Sequence, residues 1–305
     1  MKTIKQRISY AVMGLMAMGF TACTQNEDMA PTLKGQEINA TFSVGGMQTR
    51  VNTLGDGKNW EDKDKLNVSI FTDYDPGSTV VLSFNGETNE WSRSGSFHWL
   101  DEVEKHTILA VYPSVMDFGK YNLQYDLQTD QSSEGNLKNA DLITGYWYDI
   151  PLSHYYYVDI PMKHRMSLVT IFYEIGAYDH PNKDINNLQI CSPCNGASFS
   201  RRSNTDWIMD TSNYKVSTLV YACQTGDDGE KSFSAIIVPG SLDTSADFLK
   251  FTLDGQDYTV KLKQKTDFLE GHRYTYSLKK IGRDKVELAV RNQGILPGWE
   301  NEEEL

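Results

Sequence analysis

Ile38-Asn39-Ala40-Thr41-Phe42-Ser43-Val44 places four apolar side chains on one face of an extended chain and three small polar ones on the other. Successive strand side chains point to opposite faces, so this alternation describes a half-buried strand and not a helix, whose stripe would recur about every 3.6 residues. Outward from it, strands are expected at Leu66 to Phe71, Val80 to Phe84, Thr107 to Tyr112 and Leu168 to Glu174. Others follow at Phe233 to Val238, Phe248 to Leu253, Tyr258 to Lys263, Tyr274 to Leu278 and Val286 to Val290. Asn85-Gly86, Asp254-Gly255 and Gly282-Arg283-Asp284 have the chemistry of tight hairpins between them. Beyond the N-terminus no window of about 11 residues carries a helical stripe. The fold class predicted is mainly β, with antiparallel sheets packed as sandwiches around dry inner faces.

Composition agrees with a folded chain. Of 305 residues, 39% are hydrophobic and 23% charged, which is neither disordered nor collagenous. Residues 1–22 carry Lys2, Lys5 and Arg7 and no acid, so the remainder holds 26 basic against 41 acidic side chains. That surface repels phosphate backbones and anionic headgroups, which argues against nucleic-acid partners and electrostatic membrane docking. The length exceeds one ordinary domain. Two are expected, at 37–160 and 161–305, divided near Val158 to Lys163.

The N-terminus reads as an address. Basic residues precede an apolar run from Ile8 to Phe20, followed by Phe20-Thr21-Ala22-Cys23. The run is shorter than the about 20 residues a spanning helix needs, so 1–22 reads as a secretory signal ending in a lipobox, with Cys23 as the acylated first residue of the mature chain. Two or three acyl chains make such an anchor effectively permanent. The expected location is the outer membrane, held by lipid, after handling by the lipoprotein-processing machinery. Residues 23–36 lack periodicity and read as a flexible tether. Glu27-Asp28 within it has the character of a surface-export signal.

Little in the chain suggests catalysis. Cys191-Ser-Pro-Cys194 has redox or half-zinc-site spacing, but neither a βαβ context nor a second ligand pair accompanies it. In an oxidising compartment one disulfide among Cys191, Cys194 and Cys223 is expected, with the pairing open. The six His residues lack metal-ligand spacing, and there is no phosphate loop or nucleophile elbow. Acid groups such as Glu61-Asp62, Asp64 and Asp101-Glu102 suit solvated loops, so no enzyme activity, metal or cofactor is expected. Tyr146-Trp147-Tyr148 and Tyr155-Tyr156-Tyr157 fit cross-strand packing better than a sugar-stacking platform.

Several segments in order resemble the fimbrillin family of pilin-like surface lipoproteins. They are the lipobox at Cys23; Thr49-Arg50; Trp60-x-x-x-Asp64-x-Leu66-x-Val68; Ala110-Val111-Tyr112-Pro113; and Asp141-Leu142-Ile143-Thr144-Gly145. Met162-Lys163-His164-Arg165-Met166-Ser167-Leu168-Val169, Ile236-Ile237-Val238-Pro239, Gly271-His272-Arg273-Tyr274-Thr275-Tyr276 and Ile295-Leu296-Pro297-Gly298-Trp299 continue the series. The resemblance implies two tandem transthyretin-like β-sandwich domains and a subunit of a type V pilus at the cell surface. It further implies assembly with other pilus subunits by strand exchange. An Arg-specific protease, cutting here at Arg50, removes the lipidated N-terminus with the first strand, and a neighbouring subunit's strand fills the groove.

On that reading Ile38, Ala40, Phe42 and Val44 line a placeholder strand. Burying them contributes on the order of 5–10 kcal/mol before entropy. The C-terminus departs from a stalk subunit, because only Ile295, Leu296 and Trp299 precede an acidic tail; a tip or accessory role fits this better. The competing reading is a monomeric surface lipoprotein that binds glycan or host protein. A first strand inserted between two others would favour assembly, and one at a sheet edge would favour the monomer.

Overall fold

Among the described residues, the first strand lies at the edge of a seven-stranded sheet and runs parallel to one ladder partner. The computed structural model describes residues 33–44, 60–102, 105–114, 122–150, 158–174, 185–201, 207–225, 231–253, 255–281 and 285–294. Cys23, Arg50 and Tyr155 to Tyr157 lie outside them. Leu33–Leu305 cluster as one compact unit.

In chain order the elements begin with β1 (Ala40–Val44), β2 (Lys65–Phe71), β3 (Ser78–Asn85), β4 (Glu90–Ser94), β5 (His106–Tyr112) and β6 (Asn122–Asp126). Helix α1 (Glu134–Ala140), β7 (Ile143–Ile150), β8 (Val158–His164), β9 (Ser167–Glu174), β10 (Ile185–Ser192) and β11 (Gly196–Arg201) follow. Next come β12 (Trp207–Asp210), β13 (Thr218–Tyr221), β14 (Cys223–Thr225), β15 (Ser232–Ile237) and β16 (Gly240–Leu242). The last are β17 (Asp247–Leu253), β18 (Gln256–Lys261), β19 (Thr266–Phe268), β20 (Arg273–Ile281) and β21 (Lys285–Gly294). The chain is mainly β, as its alternation predicts.

The first large sheet has the order β1-β8-β7-β5-β2-β3-β4. A five-stranded sheet, β14-β15-β9-β20-β21, and a four-stranded one, β13-β10-β17-β18, carry the C-terminal part, with β12-β11-β6 and β16-β19 as smaller sheets. Most neighbours are antiparallel. The pairs β1–β8 and β9–β20 are parallel, which alternation along a single strand cannot reveal. Of the expected hairpin at Asp254-Gly255, the described residues show β17 paired with β18, Leu253 facing Gln256, and Gly255 at φ 75°.

Two apolar clusters fill the unit. One holds Phe42, Trp60, Leu66, Val68, Ile108 and Ile160; the other gathers the inner faces of the C-terminal sheets with Leu123, Tyr125, Leu137 and Leu142. Strand β5 serves both. Ile108 and Ala110 belong to the first cluster, Leu109 and Val111 to the second, and all seven of its residues are buried. That explains its unbroken apolar run, since a strand covered on both faces does not alternate.

Two local expectations are corrected. Leu33 to Gln36, read as the end of a flexible tether, are part of the fold. Leu33 is buried, Gly35 N–H donates to Trp99 O at 2.9 Å, and Trp99 N–H donates back to Gln36 O at 3.0 Å. The chain also contains a helix where only polar loop was expected. Ser133 caps α1 by accepting from Asn136 N–H at 3.2 Å, and Leu137 and Ala140 turn inward. At seven residues it is too short to write a periodic stripe.

Candidate functional site

The site is the seat of β1. Parallel pairing aligns Ala40 with Val158, Phe42 with Ile160 and Val44 with Met162. In a parallel pair the backbone groups of alternate residues face the partner. Val158 N–H accordingly donates to Asn39 O at 3.0 Å, while the backbone of Ile38 and Phe42 faces the other way. Those outward groups are satisfied by different means. Ile38 N–H donates to Phe97 O at 3.0 Å, beside an antiparallel bridge between Glu37 and His98. Phe42 O accepts from the indole N–H of Trp60 at 2.7 Å. Among the described residues, 36–38 thus bridge to 97–99, and 40–44 sit at a sheet edge where the Trp60 indole caps Phe42 O.

The apolar face of the strand is deeply seated. Ile38, Phe42 and Val44 are buried, and Ala40 packs against the same cluster. Phe42 meets Trp91 edge-on at 5.6 Å; Trp91 in turn meets Trp60 at 5.1 Å and Phe84 at 5.1 Å. Across from β1, the far edge of the sheet at β4 comes close without a ladder. A cleft of about 420 Å³ between them is lined by Ile38, Ala40, Leu82, Trp91 and Phe97, and an Arg93–Glu37 ion pair crosses it.

The outer face of β1 is not simply solvated. Thr41 Oγ1 donates to Asp159 Oδ1 at 2.7 Å and Ser43 Oγ to Asp159 Oδ2 at 3.1 Å, so both oxygens of one β8 carboxylate are used by hydroxyls two residues apart. Ser43 is itself buried.

Trp60 is held by the turn that follows it. Asp64 Oδ2 accepts from Glu61 N–H at 2.7 Å, and Asp64 Oδ1 accepts from Tyr112 O–H at 3.3 Å. Lys138 of α1 pairs with Glu61. Burial raises the Asp64 carboxyl to about 6, against the lowering effect of the Glu61 N–H bond; burial also pushes the Tyr112 phenol up. The acid group Glu61, Asp62, Asp64 is therefore a structural turn that fixes the indole.

The remaining candidates separate. Cys191 on β10, Cys194 after it and Cys223 on β14 are free thiols, all buried, and burial raises each thiol's pKa. Tyr146 packs against the C-terminal cluster and Trp147 against the N-terminal one, which makes this aromatic pair core-facing on both sides of β7. Among the described residues, no three His, Cys, Asp or Glu side chains group as a metal site, and no helix is long and apolar enough to cross a membrane.

The sequence-level reading of the first strand did not include Trp60 and Asp159. Trp60 enters only within the segment Trp60-x-x-x-Asp64-x-Leu66-x-Val68. Asp159 sits in Val158-Asp159-Ile160, where alternation marks it as outward-facing and nothing marks what it faces.

The model of a family described as fimbrillin-like matches residues 49–291. The chain belongs to the fimbrillin-like family. Membership points to a fimbrial or adhesin-like structural subunit at the cell surface, and not to an enzyme. Comparison with curated proteins gives no match. Among solved structures, a putative cell adhesion protein from Bacteroides ovatus is 12% identical, with TM-score 0.59 over 86% of this chain and 97% of that one. A putative cell adhesion protein from Bacteroides uniformis is 14% identical, with TM-score 0.58 over 83% and 96%. At these identities the likeness shows that this fimbrillin-like chain shares their fold.

Proposed function

We propose that this protein is exported as a lipoprotein acylated at Cys23, carried to the cell surface, and assembled into a type V pilus by replacement of β1. Cleavage after Arg50 by an Arg-specific protease frees the segment bearing β1, and a strand of another subunit takes its seat. The observation that carries the reading is how β1 is held among the described residues: one parallel ladder on one side, and on the other a short bridge at residues 36–38 and an indole bond. A strand so attached can leave without breaking a second full ladder, and the vacated slot offers unpaired backbone and an apolar floor, which favours pairing with another chain. The family match spans residues 49–291, so β1 lies outside the matched residues.

N-terminal sequencing of the protein in assembled surface material tests this. A start at Val51 supports the proposal, and a start at Cys23 overturns it. The edge position of Ala40–Val44 meets the criterion set above for the second reading, a monomeric surface lipoprotein binding glycan or host protein; the proposal rests instead on the slot that departure of β1 would leave on β8. Sizing after cleavage separates the two: ladders of multimers support assembly, and a lone monomer the alternative.

A further inference from the structure

We infer that the seat of β1 reads its occupant at two points, Trp60 and Asp159, and accepts a strand of a different subunit in which a large apolar residue is flanked on both sides by Ser or Thr. This rests on the strand-replacement reading above.

On the free-edge side, Trp60 is 2% exposed and its indole N–H bonds to Phe42 O. When β1 leaves, that donor stays behind inside an aromatic cluster. A buried N–H without an acceptor is costly, so an occupant must bring a backbone carbonyl to the place of Phe42 O, and with it a large apolar side chain to meet Trp91.

On the β8 side, Asp159 presents two oxygens to positions 41 and 43. A Val or Leu at either place would set methyl groups against the carboxylate and remove one of its two hydroxyl bonds. A Lys or Arg at position 43 would not fit a site where Ser43 is 3% exposed. Short hydroxyl residues satisfy both limits. Inward, positions 38 and 44 take apolar residues, since both are buried.

This chain's own residues 285–305 contain no Ser or Thr and include Pro297 and a run of acids, so neither β21 nor the stretch after it has the required pattern. The occupant is therefore not residues 285–305 of a second copy but a strand of another subunit that carries the hydroxyl–apolar–hydroxyl pattern.

The test uses the full chain nicked at one engineered protease site within residues 45–59, so that β1 stays seated as a separate peptide. A labelled synthetic peptide of residues 36–44 is offered in competition, beside the same peptide with Thr41→Val and Ser43→Ala. Two hydrogen bonds to a charged group are each worth roughly tenfold when buried and less when partly solvated. The altered peptide is expected to bind at least about tenfold more weakly to the wild-type seat, and the difference to shrink below about threefold on Asp159→Ala. Trp60→Phe is expected to weaken both peptides alike. Equal binding of the two peptides to the wild-type seat overturns the inference and leaves strand replacement standing. If neither peptide displaces β1, both the inference and strand replacement are overturned.

Discussion

His164 Nδ1 lies 3.0 Å from Asp141 Oδ1, and neither side chain has any exposure. Asp141 is also the C-cap of α1, and His164 pairs with Ile143 across β7 and β8, so the bond ties the end of the helix to the strand on which β1 rests. Removing one partner strands the other in the interior. Asp141→Ala is expected to lower stability by about 3 kcal/mol, and Asp141→Asn, which keeps an acceptor oxygen, by about 1 kcal/mol. Denaturant unfolding of the two variants measures the difference; equal losses would remove the pairing as the cause.

Asp64 predicts a pH dependence. Its folded carboxyl, raised to about 6 from 3.8, binds its proton more tightly than the unfolded one. The stabilisation it contributes is therefore complete below about pH 4 and is lost as pH rises through 6. Linkage sets the loss at up to about 3 kcal/mol, and partial solvation of the site brings it nearer 1–2 kcal/mol. Asp64→Asn should flatten this segment of the stability profile and gain on the wild type at pH 7. A titration of the side chain by NMR with its midpoint near 4 would contradict the account.

Gly145 has no room for a side chain. A Cβ there would sit 2.4 Å from Pro161 O and 2.6 Å from Met162 Sδ, the first of them rigid backbone of β8. Gly145→Ala must push β7 and β8 apart. A loss of about 2–3 kcal/mol is expected, with faster amide exchange at Val158, whose N–H holds Asn39 O. Unchanged exchange at that amide would show that β8 tolerates the shift.

The three buried thiols should resist alkylation in the native protein and react fully once it is unfolded. Intact mass under non-reducing conditions gives the second reading: a deficit of two hydrogens would show a disulfide among Cys191, Cys194 and Cys223.

Where one face is buried and the other is wet, the pattern was legible. Leu66 to Phe71 and Phe248 to Leu253 emerge as Lys65–Phe71 and Asp247–Leu253, because alternation and burial say the same thing there. β4, Glu90–Ser94, was not legible, since Trp91 is its one apolar side chain. β8 was obscured for a different reason: Val158-Asp159-Ile160-Pro161 alternates well, but Pro161 argues against a strand unless the missing N–H faces away from a ladder. The four inward residues of β1 were readable from spacing alone. That its outward hydroxyls meet Asp159, about 116 residues later, was not, because parallel pairing links segments that leave no local signature in either one.

Strand β5, covered on both faces, is a party wall between the two apolar clusters. A fragment ending before or after it would expose one of its sides to water over the whole strand. Any exchange of material between neighbouring molecules must therefore take place at the rim, with the wall left standing.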